Sequence, residues 1–191
     1  EEYIFYFFIL VSFFINVSIA VNVHRILLLN ENIEIKNSFK IGNKELGFIL
    51  KTIMIVLLLA LVFAIVLGVS FVLSQLFSFK SLIFVGIFIA SILSLILFSR
   101  LSLILPAVSV GDESDFNDAL DLSKDNKFLV VFMVSIFPAI ISIFTLIVYS
   151  FLVVVVSEYF KILYPLLNLF ITVLVISCLS TVYMFLKEKD K

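Results

Sequence analysis

Cysteine, histidine, proline, glycine and charge are all scarce in this sequence. With one cysteine, Cys178, the chain cannot close an internal disulfide, and with one histidine, His24, it has no Cys/His set for a metal. Three prolines and five glycines in 191 residues exclude collagen-like and low-complexity chains. Charged residues make up 14%, against about 25% in soluble domains. The net charge of −1 leaves no basic footprint for nucleic acid. No HExxH, glycine-rich phosphate loop or G-x-S-x-G occurs. The expectation is therefore no cofactor, no resident metal and no enzymatic activity.

What is abundant is apolar side chain: 63% of residues are hydrophobic, and the mean hydropathy is +1.30. Five stretches carry no formal charge, counting His24 as neutral: 3–24 (22 residues), 52–79 (28), 81–99 (19), 128–157 (30) and 162–186 (25). About 20 apolar residues let a helix cross a hydrocarbon core of about 30 Å. Segments such as Ile53–Ala60 and Leu82–Ala90 are apolar on every face, unlike the alternating strands of a membrane barrel. A backbone in lipid must satisfy its own hydrogen bonds, which a helix does. The reading is an all-α, polytopic helical membrane bundle forming one integral domain over 1–191, kinked at its prolines. Its five transmembrane helices cover roughly 3–29, 46–76, 81–105, 128–157 and 160–186, with loops at 30–45 and 106–127. Arg100 does not prevent the third span from inserting. The thirteen Leu, Ile, Phe and Val residues of 82–98 contribute roughly 4–8 kcal/mol, against about 2.5–3.5 kcal/mol for a central arginine.

Eleven of the thirteen lysines and arginines fall on the side of the two long loops and the C-terminus, leaving Lys80 and Lys161 opposite. The positive-inside rule makes that side cytoplasmic in a multi-pass protein and puts Glu1 outside. That position implies a removed signal peptide or a sixth, preceding helix in the full-length protein. Ile33, Ile35, Phe39 and Ile41 suggest that the first loop lies on the membrane surface, with Gly42 turning the chain and Asn43 capping the next helix. The second loop reads as a short amphipathic helix. Phe116, Ala119, Leu120 and Ser123 share one face, while Asp112, Glu113, Asp115, Asp118 and Asp121 point elsewhere. Phe116, Ala119 and Leu120 are the candidate partner-facing surface, and Asn126 is a second capping residue. Pro106 should end the third helix near Leu105 and lay Ala107–Val110 along the inner surface, with Pro138 and Pro165 bending the last two spans.

Polar groups in a bilayer are costly and mark the places to look for function. Ser12, Asn16, Ala20 and His24 recur every four residues, with Ser18, Asn22 and Arg25 beside them. Gly86 and Ala90 form a small-xxx-small pair, and the fifth span carries Asn168, Thr172, Ser177, Ser180 and Thr181. Such residues serve helix packing or a substrate path. The candidate intramembrane or interfacial site comprises Asn16, Asn22, His24, Arg25 and Arg100, and Pro106 is the candidate helix break. His24-Arg25 and Ser99-Arg100 each place arginine at an inner helix end, followed by an apolar run, a polar connection and an Asn-started span, as a parallel repeat would.

His24-Arg25 with Leu27-Leu28-Leu29, then Gly42-Asn43-Lys44-Glu45-Leu46, resembles a pattern in uncharacterised bacterial inner-membrane proteins. So does the run from Arg100 to Ala107 with Val110-Gly111, an acidic helix and Asn126. These look like relatives of the membrane domain attached to some glycerophosphodiester phosphodiesterases. The resemblance implies a membrane domain without the catalytic barrel, and none of that activity transfers. Three functions stay open: a non-catalytic scaffold or partner subunit, a transporter or channel-like protein, and a domain binding lipid headgroups through Arg25 and Arg100. The partners are the bilayer, a protein in the membrane or cytoplasm, and an anionic lipid.

Overall fold

The computed structural model describes residues 2–31 and 42–189. The four apolar residues expected to lie on the membrane surface, Ile33, Ile35, Phe39 and Ile41, fall outside the described residues. Those described are helical almost throughout, with no strand among them. The helices are α1 (Glu2–Leu29), α2 (Asn43–Leu76), α3 (Leu82–Leu101), α4 (Ile104–Val110), α5 (Phe116–Leu122), α6 (Lys127–Val131), α7 (Phe137–Phe151) and α8 (Tyr164–Lys189). Among the described residues, five helical stretches are long and apolar enough to cross a membrane: Ile9–Leu29, Asn43–Leu76, Leu82–Val110, Lys124–Val156 and Glu158–Lys189.

The chain is closely packed at one end only. Buried side chains gather from Val17–His24 of α1, Glu45–Ile55 of α2, Ser99–Leu101 of α3, most of α4, Ala119 of α5, Val130 and Val134, and Ile176–Leu186 of α8. At the opposite end the apolar side chains are largely uncovered, from Val56 to Phe79 and from Ile140 to Phe170. Close contacts persist there, as between the Tyr149 and Tyr164 rings, 5.9 Å apart. The α2–α3 hairpin brings Ser70 so near Gly86 that a Cβ on Gly86 would lie 2.1 Å from Ser70 Oγ. Gly86 and Ala90 are both buried in this hairpin, so the small-xxx-small pair serves packing within the chain. Ser78 closes α2 at φ +52°, with its N–H on Gln75 O and that of Phe79 on Ser74 O. This is the paired-bond ending that usually requires glycine.

Pro106 acts differently from the sequence expectation. The helix does not run to Leu105 and lie down on the surface. It breaks at Ser102–Leu103, resumes at Ile104 and enters the core. A proline ring clashes with the carbonyl four residues back, here Ser102, and has no N–H to offer it. A break at that carbonyl removes the clash, and Ser102 O accepts from Leu105 N–H at 2.9 Å instead. Pro106 then sits in the first turn of α4, where a missing N–H costs little. Leu103, Ile104 and Ala107 are each 1% exposed, and α4 packs against α1 and α2. Gly111, at φ +91°, ends α4 with Gly111 N–H on Val108 O and Asp112 N–H on Ala107 O.

Two caps also depart from expectation. Gly42, not Asn43, precedes α2, because the Glu45 carboxylate reaches back to the Gly42 N–H at 2.8 Å. Asn126 stands at the start of α6, but its side-chain oxygen accepts from Lys189 Nζ at 3.2 Å instead of capping. Pro165 lies in the first turn of α8, where its missing N–H costs little. Before Pro138 the helix widens into a π-helical stretch, Phe132–Ile136.

Gly86→Ala is expected to destabilise the chain by about 1–3 kcal/mol through overpacking. Ser70→Gly in the same chain should restore most of the loss, measured by thermal unfolding in detergent.

Candidate functional site

The polar stripe on α1 separates into unlike environments. His24 is fully buried, and its Nδ1 lies 2.6 Å from Ser180 Oγ of α8. The Ser180 hydroxyl donates to Ile176 O at 3.0 Å, so Nδ1 carries the proton and donates to Ser180. Nε2 is then a lone pair, buried and without a hydrogen bond among the described residues. The Phe48 ring lies 6.0 Å from the imidazole. Val17, Ala20 and Val21 of α1 are buried, and α1 packs along α8. Asn16, two turns away, donates to Ser12 O at 2.9 Å. It borders an apolar cleft of about 400 Å³ between α1 and α2, with Phe13, Val17, Phe48 and Thr52. Neither His24 nor Arg100 lines that cleft. Asn22 is half-buried on α1, and Arg25 pairs with Glu31 just past the helix end.

Arg100 holds α5. Its Nε donates to Ser123 Oγ at 2.8 Å and Nη2 to Leu120 O at 2.7 Å, so the guanidinium bridges the end of α3 to the last turn of α5. That turn presents carbonyls, the negative end of the helix. At the start of α5, Asp115 accepts from Asp118 N–H and Asp118 from Asp115 N–H, at 2.9 and 2.8 Å. The face expected to meet a partner lies at least partly against the chain's own core. Ala119 is buried, Phe116 and Leu120 are packed against the same cluster, and Lys51 Nζ lies 5.5 Å from the Phe116 ring centre. An amphipathic pattern fixes which face is covered, not whose surface covers it. Ser99 and Ser135, at 2.5 Å between hydroxyls, add a tie from α3 to the π-helical stretch.

A third polar group had no local signal beyond the one-turn spacing of Tyr183 and Lys187. Asp112 Oδ2 accepts from Lys187 Nζ at 2.5 Å and from Tyr183 Oη at 3.3 Å, while Lys187 also donates to Tyr183 Oη at 3.2 Å. The left-handed Gly111 turns the chain so that Asp112 meets α8. The hydrogen bond from Lys187 holds the Asp112 carboxyl below its usual 3.8, against a smaller opposing effect of burial. Beside these groups a cavity of about 340 Å³ opens between α4, α5 and α8. Its floor is Leu103, Ile104, Ala107 and Leu122, and its rim holds Ser114, Asp118, Asp121, Tyr183 and Lys187. Among the described residues, no three His, Cys, Asp or Glu side chains come together as a metal site.

Compared with known protein families, with curated proteins and with solved structures, the chain matches none.

Ser180→Ala should cost about 1–3 kcal/mol of stability, because it leaves the buried Nδ1–H without an acceptor. Ser142→Ala, whose hydroxyl bonds only the carbonyl four residues back, is the control, and denaturant titration in detergent compares the two. A depressed carboxyl pKa stabilises the fold above its unfolded value and loses that contribution as pH falls through the folded one. Spin labels at Ser114 and Glu188 should therefore show a narrow distance distribution at neutral pH that broadens only below about pH 4. Asp112→Asn should broaden it already at pH 7.

Proposed function

We propose that the chain is a multi-pass integral protein of a cell membrane that acts without catalysis, as a scaffold or partner subunit, with its α4 end in the cytoplasm. The observation that carries this reading is the use made of the polar side chains. His24 joins α1 to α8, Ser99 joins α3 to the π-helical stretch, Arg100 holds α5, and Asp112 joins the turn after α4 to α8. Each of these polar groups links two segments of the bundle, which is the role such groups have in membrane helix packing. The uncovered apolar lengths of α2, α3, α7 and α8 support a surrounding of lipid, since water would leave a patch far beyond the few hundred Å² that soluble monomers expose.

A transport path along Asn16, Asn22, His24 and Arg100 has less support, because the cleft that Asn16 borders contains neither His24 nor Arg100. Phosphate binding by the two arginines has less support too, since Arg100 directs donors to α5 and Arg25 pairs with Glu31. With Phe116 and Leu120 partly buried against the core, the surface that α5 offers a partner is its exposed side, at Asn117.

Two measurements test the proposal. The chain should stay in the membrane pellet after alkaline carbonate, and release would overturn the membrane placement. A photo-crosslinking residue at Asn117 should yield a discrete protein adduct in native membranes. Adducts with lipid alone would overturn the partner-subunit role.

A further inference from the structure

The cavity between α4, α5 and α8 joins an apolar floor to a rim bearing both signs of charge. Leu103, Ile104 and Ala107 belong to the buried core, so the floor is fixed, while Asp118, Asp121 and Lys187 converge above it. About 340 Å³ lies at the small end of the roughly 300–1,000 Å³ range of ligand pockets. That volume suits a headgroup with its adjoining glycerol, not a whole lipid.

The rim chemistry is selective. Lys187 has three N–H donors and places two on Asp112 and Tyr183, leaving one to reach a ligand oxygen. Asp118 uses one carboxylate oxygen on the Asp115 N–H, and the Asp121 carboxylate accepts no hydrogen bond from another described residue, so both keep acceptor positions open. We infer that this cavity binds the headgroup of a membrane phospholipid in which a primary amine stands beside the phosphate. Phosphate oxygen meets Lys187, the ammonium donates to Asp118 and Asp121, and the glycerol end lies on the apolar floor. A headgroup with only negative charge meets two carboxylates for one lysine and is disfavoured. A quaternary ammonium has no N–H for those carboxylates and loses the charge-assisted hydrogen bonds.

The inference rests on the bilayer placement proposed above, and its test can fail separately. The full chain, purified in mild detergent, is offered equal amounts of phosphatidylethanolamine, phosphatidylcholine and phosphatidylglycerol with identical acyl chains. Retained lipid is counted by native mass spectrometry. Retention of the ethanolamine lipid should exceed the others by about tenfold, the effect of one charge-assisted hydrogen bond. Asp121→Asn, at an exposed position, should reduce that preference to near unity, and Ser114→Trp at the rim should abolish retention. Soluble phosphoethanolamine at the same concentration should not displace the lipid. Equal retention of all three lipids, a preference for phosphatidylglycerol, an unchanged preference in Asp121→Asn, or full displacement by the soluble amine would each overturn the inference. A chain that holds to membranes in carbonate but shows no headgroup preference sinks this inference alone.

Discussion

Pro106 offers no hydrogen to the carbonyl of Ser102, and the rest of the structure depends on that single missing donor. Pro106 follows the interruption at Ser102–Leu103 that separates α3 from α4 within one apolar helical stretch, Leu82–Val110, and most of α4 is buried in the core. Once inside, α4 supplies the surface against which α1 and α2 pack, and Gly111 at its end delivers Asp112 to α8. The hydroxyls that enter with it are satisfied locally, Ser102 on Ser99 O and Ser109 on Leu105 O, so burial leaves neither unpaired.

Around this element the polar side chains act as cross-ties at one depth. His24 with Ser180, Ser99 with Ser135, and Arg100 with the last turn of α5 all lie at the α4 end of the helices. Hydrogen bonds between helices in an apolar medium contribute about 0.6 to 2 kcal/mol each. They also fix which helices are neighbours, which apolar contact with lipid of equal hydrophobicity does not.

Much of the architecture was legible in the sequence because it follows from local rules. The charge-free stretches marked five long helices but not their ends, since the second begins at Asn43 and the third runs to Val110, and the positions of Phe116, Ala119, Leu120 and Ser123 gave the covered face of α5. Gly86 and Ala90 announced a close helix pair. The fate of Leu101–Val110 was not legible, since a short apolar run interrupted only by Ser102 and Ser109 reads alike on a membrane surface and inside a bundle. The capping of α2 was misread because Asn43 is a good cap by type, whereas Glu45 at the third position makes Gly42 the working start. The union of Asp112 with Lys187 joins residues 75 positions apart, a distance over which periodicity carries no information. The partner-facing reading of Phe116 and Leu120 rested on the same amphipathic pattern, which a partner or the chain's own core would satisfy equally.

The uneven packing has a mechanical consequence. Helices clamped at one end and unclamped for most of their length behave as rods on a common base. In a bilayer, a change in the thickness of the far leaflet is then absorbed by a small tilt of each rod, at a cost of fractions of a kcal/mol per Å, without breaking a single cross-tie at the base. The Ser70–Gly86 contact couples α2 to α3, and the Tyr149 and Tyr164 rings, 5.9 Å apart, couple α7 to α8, so the rods lean as two pairs.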